Sequence, residues 1–188
     1  MIAVKYPLSP EAKFPAALET VRMVLSRDDR LAGEDLLLVG ESAGGNLALS
    51  TLQEDEEIRR RTRGLVMIYP FLDLTLSGES AEKYKDGYLL TRGLLDWFAK
   101  CYLETADRTD PKVSPLLCSS VELPPSLVIV GEFDPLRSDA VRFAESHENS
   151  LLHVYPGMIH GFLQLRSICS ARDRALKEIS AFVNSVKG

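Results

Sequence analysis

The stretch LLLVGESAGGN, residues 36–46, carries the strongest indication of the fold of this chain. It begins with a wholly apolar run, Leu36 to Val39, which is typical of a buried strand in a parallel sheet. A glycine-rich turn follows directly, and the sequence from about Gly45 predicts a helix. A strand that turns sharply into a helix at Gly-x-Ser-x-Gly holds its serine side chain exposed above the sheet. The stretch therefore predicts an α/β fold and a candidate nucleophile, Ser42.

The remainder of the chain alternates between strand and helix patterns, which indicates an α/β fold with a mostly parallel sheet. Short apolar runs typical of strands occur at Ile2 to Tyr6, Leu65 to Tyr69, Leu127 to Val130 and Leu151 to Tyr155. The segment from about residue 72 to about residue 125 is too long for a simple crossover. We therefore predict one α/β domain over residues 1–188, with a cap insertion at about residues 74–110 that packs over one end of the sheet.

Composition and charge exclude several classes of protein. With 188 residues, 45% of them apolar and 26% charged, the chain has the usual make-up of a globular protein. The net charge of −5 argues against a nucleic-acid partner, because phosphate binding needs clustered cations. No apolar run reaches the roughly 18 residues of a membrane span, and the N-terminus does not resemble a secretion signal. The odd number of cysteines, without metal-type spacing, favours a reducing compartment, so we expect a cytoplasmic location.

A serine nucleophile needs a base, and the chain has three histidines. His147 lies in a polar stretch and is expected at the surface, while His153 falls inside a predicted strand and is expected to be packed there. His160, in YPGMIHGF, follows that strand directly and precedes a glycine. Ligands meet a parallel sheet at the loops that follow the carboxyl ends of its strands. His160 is therefore the predicted base.

A carboxylate must orient the base, and Asp134 is the predicted acid. It comes just after the strand Leu127 to Val130, on a loop where the following proline prevents regular structure. Glu132, Asp139 and Asp73 are the competing carboxylates. With Asp134 the residues follow the chain order nucleophile, acid, base, which is the order that accompanies a Gly-x-Ser-x-Gly elbow.

The turn around the serine supplies further predictions. Gly40 and Gly44 lack side chains, so we expect them to let the two arms of the turn approach each other. The backbone N–H of Ala43 lies at the predicted helix N-terminus and is the candidate donor to an oxyanion. This chemistry needs no metal and no cofactor. A phosphate-binding turn stays open as an alternative, whereas a dinucleotide fingerprint is excluded because Gly-x-Gly-x-x-Gly is absent.

Several long motifs resemble those of the hormone-sensitive-lipase-like esterases, a group within the α/β-hydrolases. The motifs are YPLSPEAKFPAALE, GESAGGNLAL, YPFLD, GYLLT, DPKVSPL, PPSLVIVGEFDPLRSDA and YPGMIHGF, and they extend over nearly the whole chain. The resemblance implies an α/β-hydrolase fold and a serine hydrolase of carboxylic esters, with Ser42 as nucleophile, Asp134 as acid and His160 as base. It also implies small-molecule esters with short- to medium-chain acyl groups as substrates, and a homodimer.

The sequence departs from the family pattern at its beginning. The family's early sheet strands and its His-Gly-Gly-Gly loop, which builds the oxyanion hole, have no counterpart here. We therefore expect an N-terminally truncated chain with an apolar sheet edge exposed beside Leu36 to Val39, and an activity impaired by the missing donors. The alternative function is a non-catalytic hydrolase-fold remnant that binds a hydrophobic ligand or a partner. An amidase or a lactonase is a further alternative, because the elbow does not fix the leaving group.

Three aromatic residues of the predicted insertion, Tyr88, Trp97 and Phe98, are candidates for lining an acyl pocket. Ordinary packing of a cap helix explains them equally well, because aromatic side chains contribute large apolar areas to any core.

Overall fold

A parallel sheet of four strands forms the centre of the protein. The computed structural model describes residues 1–118, 121–165 and 170–186. The strands are β1 (Leu36–Glu41), β2 (Thr62–Ile68), β3 (Ser126–Gly131) and β4 (Ser150–Tyr155), paired in the order β1-β2-β3-β4. Each neighbouring pair is parallel. The predicted α/β fold with a mostly parallel sheet is thus confirmed.

Helices cover the sheet and connect its strands. They are α1 (Ala16–Arg27), α2 (Ala43–Glu54), α3 (Glu56–Arg61), α4 (Glu79–Lys83), α5 (Arg92–Tyr102), α6 (Arg137–Ser146) and α7 (Ser170–Ser185). β3 is buried along its whole length and β2 along nearly all of it, which requires cover on both faces. Across the described residues, none of the helices combines the length and the apolar character needed to cross a bilayer.

The core lies between the sheet and these helices, where helical spacing brings apolar side chains to one face. In α1, Leu18, Val21 and Leu25 are buried, as their spacing predicts. From α6, Phe143 is fully buried in the same cluster. Each such side chain contributes roughly 1.5–3 kcal/mol when it is fully buried.

The predicted strand Ile2 to Tyr6 is not a strand in the structure. Its side chains still alternate, with Ile2, Val4 and Tyr6 half-buried and the residues between them exposed. A strand needs a neighbouring strand as its hydrogen-bond partner, and among the described residues β1 pairs with β2 alone. β1 is therefore an edge of the sheet, and Val39 on it is 55% exposed. The alternation predicts which side chains are buried but not which backbone groups pair.

The segment between β2 and β3 builds a second, smaller apolar cluster around α4 and α5. Its members are Phe71, Leu74, Leu76, Ala81, Leu90, Leu95, Ala99, Leu103, Val113 and, directly before α6, Leu136. Asn46 of α2 donates hydrogen bonds to the carbonyl oxygens of Phe71 and Val113, each at 2.8 Å, and so ties both ends of the segment to the main domain. This cluster supports the predicted insertion, whose boundaries at about residues 74–110 stay a prediction.

A buried carboxylate ties the same segment to α6. Asp139 Oδ2 accepts hydrogen bonds from the backbone N–H groups of Leu72 and Asp73, each at 3.0 Å. Burial raises the pKa of Asp139 to about 8, although the two backbone donors oppose the rise. Burial also acts to raise the pKa of Asp73, but hydroxyl donors and Arg142 outweigh it and lower that pKa. The pKa values of the two neighbouring carboxyl groups are therefore shifted in opposite directions, that of Asp139 upward and that of Asp73 downward.

The raised pKa of Asp139 predicts that its contribution to stability falls as the pH rises. Below the ordinary value of 3.8 the carboxyl is protonated in both the folded and the unfolded chain. Between that value and about 8 the unfolded chain ionises first, so the free energy of unfolding falls by up to about 1.4 kcal/mol per pH unit. Asp139→Asn keeps an acceptor oxygen but cannot titrate. In urea unfolding over this pH range, its free energy of unfolding should therefore lack the decrease with pH that Asp139 causes. Parallel pH curves for the two proteins would contradict the prediction.

Candidate active site

The predicted nucleophile Ser42 occupies the turn between β1 and α2. Its φ of 52° lies in the left-handed region, where residues other than glycine are strained and cluster at functional sites. The Ser42 N–H donates to the carbonyl oxygen of Ile68 at 2.9 Å, and the Ser42 carbonyl accepts from the Gly45 N–H at 3.0 Å. The end of β2 and the first turn of α2 therefore hold the strained serine in place.

Close packing of the elbow depends on two glycines, only one of which was expected. A Cβ atom on Gly40 would overlap the carbonyl group of Gly44 and lie 2.6 Å from the nitrogen of Gly45. A Cβ atom on Gly45 would lie 2.8 Å from Pro70 Cβ. The prediction for Gly44 is wrong, because a Cβ atom there would have no neighbour within 4 Å. A Cβ atom on Gly44 would project into open space. Gly44 takes part in the close contact through its backbone carbonyl group, which lies against Gly40.

The three predicted site residues lie together. Ser42 Oγ is 3.2 Å from His160 Nε2, and His160 Nδ1 is 2.9 Å from Asp134 Oδ2. The Asp134 side chain is fully buried and that of His160 is 14% exposed. The second carboxylate oxygen of Asp134 accepts the Leu136 N–H at 2.8 Å. In this arrangement the imidazole can take the proton of the hydroxyl, while the buried carboxylate stabilises the imidazolium that forms.

The topology explains why residues so far apart in sequence meet. Ser42, Asp134 and His160 follow β1, β3 and β4, and parallel strands end at the same edge of a sheet. The last two loops are in close contact at Gly131, where a Cβ atom would lie 2.8 Å from the carbonyl carbon of Met158. The absence of a side chain there lets the histidine loop approach the aspartate loop.

The competing carboxylates have other partners. Glu132 Oε2 accepts the Gly157 N–H at 2.8 Å and so holds the start of the histidine loop. Asp139 binds the backbone at the start of the insertion. Asp73 pairs with Arg142, with 3.1 Å between Oδ2 and Nη1. The structure thus places one carboxylate, Asp134, against the imidazole.

The other two histidines lie elsewhere. His153 on β4 pairs with Glu178 of α7 at 2.5 Å. His147, expected at the surface, is half-buried, and its ring stacks on Phe143 with the centroids 4.3 Å apart. The polar composition around His147 concealed this packing, because the residue that it contacts lies one helical turn earlier on α6. Within the described parts of the chain, His, Cys, Asp and Glu side chains form no group of three or more that could hold a metal ion.

The candidate oxyanion donor is the first residue of α2, Ala43. The N–H groups of a first helical turn have no acceptor within the helix, and the helix dipole adds partial positive charge there. Ala43 lines the same cleft as Ser42 and His160. Its N–H is thus available to an oxygen atom that develops negative charge beside Ser42 Oγ.

An apolar cleft of about 800 Å³ opens beside Ser42 and His160. Trp97 and Phe98 of α5 line it, whereas Tyr88 does not. The ring of Tyr88 stacks instead on Phe133, with the centroids 5.3 Å apart. The volume of the cleft falls within the range of small-molecule sites. It can therefore hold an apolar group next to the serine hydroxyl.

Sequence reasoning missed two residues that contact the site, Glu41 and Tyr69. Tyr69 follows β2 directly, and its ring centroid lies 4.6 Å from that of His160. Its position at the carboxyl end of a parallel strand was the signal that could have identified it. Glu41 precedes Ser42 within the elbow motif, and its carboxylate accepts the hydroxyl of Tyr69.

Comparison with known proteins gives consistent matches. A family model for the alpha/beta hydrolase fold matches residues 1–164. An ethyl acetate hydrolase from Pseudomonas putida is 35% identical over 192 residues, which cover 94% of this chain and 60% of that protein. A hyperthermophilic esterase from Pyrobaculum calidifontis superposes with a TM-score of 0.87 at 32% identity, over 97% of this chain and 65% of that one. A hormone-sensitive lipase from a metagenome library superposes with a TM-score of 0.86 at 29% identity, over 98% of this chain and 65% of that one. This chain therefore spans 60–65% of their lengths.

Proposed function

This chain belongs to the α/β-hydrolase family, and from that premise we propose that it hydrolyses carboxylic esters through an acyl-enzyme. Ser42 is the nucleophile, His160 the base and Asp134 the acid. The observation on which the proposal depends is the unbroken series hydroxyl, imidazole, buried carboxylate, joined by contacts of 3.2 and 2.9 Å. Similarity to proteins named as esterases supports the same reaction class.

The proposed reaction has two half-reactions. His160 Nε2 takes the proton of Ser42 Oγ, which bonds to the ester carbonyl carbon while the carbonyl oxygen becomes an oxyanion. The oxyanion collapses, the bond to the alkoxy oxygen breaks, and His160 returns the proton to the leaving alcohol. Water then attacks the acyl-enzyme with the same proton transfers and releases the acid. Asp134 accepts the Nδ1–H of the imidazole throughout, which fixes the tautomer.

The Ala43 N–H stabilises the oxyanion in this proposal. The sequence contains no His-Gly-Gly-Gly run to add further donors. Loss of one oxyanion donor lowers turnover about 10²–10³-fold in a serine hydrolase. We therefore expect hydrolysis to be slow wherever the Ala43 N–H is the sole donor to the oxyanion.

Short- to medium-chain acyl esters are the proposed substrates. The apolar cleft beside Ser42 has the volume for a small acyl or alkyl group, and Trp97 and Phe98 form part of its wall. The name of the Pseudomonas relative, ethyl acetate hydrolase, supports a small ester.

The proposal also includes a cytoplasmic location for this protein and its assembly as a homodimer. The exposed apolar side chains of the edge strand β4, Leu151 and Val154, support the homodimer.

The proposal is tested with a fluorophosphonate probe and a series of p-nitrophenyl esters. We expect the probe to label one serine, which mass spectrometry of the digested protein should identify as Ser42. We also expect turnover of the acetate and butyrate esters that exceeds turnover of the palmitate. A folded protein that neither reacts with the probe nor hydrolyses any ester would contradict the proposal and support the non-catalytic hydrolase-fold remnant.

A further inference from the structure

One carboxylate connects three parts of the candidate site. Glu41 Oε1 accepts a hydrogen bond from the Tyr69 hydroxyl at 2.6 Å and another from Gln164 Nε2 at 2.7 Å. Glu41 is the residue before Ser42, and Gln164 lies four residues beyond His160. The elbow, the end of β2 and the loop that holds His160 are thus joined at a single group. We call Glu41, Tyr69 and Gln164 the carboxylate bridge.

The bridge places an aromatic ring against the imidazole. The ring centroids of Tyr69 and His160 are 4.6 Å apart, with 57° between the ring planes. Tyr69 is 1% exposed, so its ring has little room to move. Its φ of 37° lies in the left-handed region, a costly conformation for a bulky residue that persists only where the surroundings impose it. The backbone and the hydroxyl of Tyr69 are therefore both held at the site.

We propose that Glu41 and Tyr69 are positioning residues that hold the imidazole of His160 in line with Ser42 Oγ. The proposal rests on the proposed ester hydrolysis. Asp134 binds one ring atom of His160, Nδ1. Ser42 Oγ lies 3.2 Å from the other ring nitrogen, Nε2. These two contacts leave the ring able to tilt about the line that joins them, and the Tyr69 ring blocks this movement from one face. Misplacement of a reacting group by about 1 Å can cost on the order of 10²-fold in rate.

The electrostatics of the bridge support the same role. Burial and the neighbouring Glu41 carboxylate raise the pKa of Tyr69 above its ordinary value. The phenol therefore stays protonated, and it remains a hydrogen-bond donor to Glu41 at any pH at which an ester hydrolase works. A hydrogen bond between a hydroxyl and a carboxylate is among the stronger kinds in proteins.

The kinetic test compares Tyr69→Phe with Tyr155→Phe. Tyr69→Phe keeps the ring and removes the bond to Glu41. We expect kcat to fall about tenfold with KM within about twofold, because a ring that is less firmly held allows the imidazole to shift from its place beside Ser42 Oγ. Tyr155→Phe removes a similar bond, from Tyr155 of β4 to Glu178 of α7, and Tyr155 does not line the cleft beside Ser42. It should cost similar thermal stability and leave kcat unchanged. An equal loss of kcat in both variants would reduce Tyr69 to a structural residue and overturn the proposal.

A double-mutant cycle tests whether Glu41 and Tyr69 act together. Because both substitutions break the same contact, Glu41→Ala combined with Tyr69→Phe should lower kcat no further than about twofold beyond the more damaging single substitution. Effects that multiply would show that the two residues act separately, which contradicts the proposed bridge.

A measurement without turnover separates this inference from the proposed function. In a Ser42→Ala background, the NMR signal of the His160 Cε1–H reports the Tyr69 ring, and His147→Gln and His153→Gln assign it among the three histidines. We expect Tyr69→Phe to shift or broaden this signal and Tyr155→Phe to leave it unchanged. If the NMR response is seen but the protein with Ser42 intact hydrolyses no ester, the positioning of His160 by Tyr69 stands and the proposed function is refuted. If the protein hydrolyses esters but Tyr69→Phe leaves the His160 signal unchanged, the positioning is refuted and the proposed function stands.

Discussion

Replacing Ser42 with alanine is expected to lower kcat for p-nitrophenyl butyrate on the order of 10⁴–10⁶-fold, because the acyl-enzyme can no longer form. Alanine removes Oγ, which lies 3.2 Å from the imidazole, and leaves the strained backbone of the elbow to be held by its existing hydrogen bonds. Adding His160→Ala should lower the rate little further, since the two residues act as one unit. Steady-state kinetics measure both effects, and loss of fluorophosphonate labelling checks the first.

The matched control is Ser180→Ala, at an exposed position of α7. It should retain both the labelling and the rate of the unsubstituted protein. If the Ser42→Ala protein, shown to be folded by circular dichroism, still hydrolyses the ester at more than about one-tenth of the original rate, Ser42 is not the nucleophile.

Gly40→Ala is expected to destabilise the protein by at least about 3 kcal/mol. The new Cβ atom would overlap the carbonyl group of Gly44 and lie 2.6 Å from the backbone nitrogen of Gly45. Both contacts are with backbone atoms of the first turn of α2, which cannot move aside as a flexible side chain would. β1 and α2 must therefore separate, and Ser42 between them moves from its place beside the imidazole. Urea unfolding measures the loss of stability, and probe labelling the loss of the elbow.

Gly44→Ala provides the comparison within the same turn. A Cβ atom at Gly44 meets nothing within 4 Å, and the residue lies in α2, where alanine is favoured over glycine by roughly 0.5–1 kcal/mol. We expect its midpoint in urea to equal or exceed that of the original protein. Equal destabilisation by the two substitutions would show that helix geometry, and not close approach of backbone atoms, makes Gly40 necessary.

Local signals in the sequence predict most of the elements and bring the right residues to one edge of the sheet. The apolar run Leu36 to Val39 identifies β1, and the glycine-rich turn after it marks the elbow because few other sequences permit so sharp a reversal. Asp134 and His160 could be selected because each follows a predicted parallel strand, and such strands end together. Their catalytic roles stay predictions, which the kinetic experiments above address.

Other features could not be predicted, because they depend on pairs of residues that are distant along the chain. Ile2 to Tyr6 has the alternation of a strand, but a strand also requires an adjacent partner, and periodicity says nothing of partners. His147 lies in polar sequence and yet packs on Phe143. Gly44 belongs to the motif, but whether a Cβ atom there would meet a neighbour depends on the path of the whole turn.

The parallel α/β architecture, the sharp turn at Ser42 and the chain order of the three site residues can all be derived from the amino-acid sequence. These follow from backbone preferences and hydrophobic periodicity, which act over a few neighbouring residues. Three features become visible in the folded protein alone: Glu41 joins Tyr69 to Gln164, the Tyr69 ring faces His160, and Asp139 is buried. Those contacts exist because separate strands and loops converge in space, and the energy of each depends on a distance between side chains that no local pattern encodes.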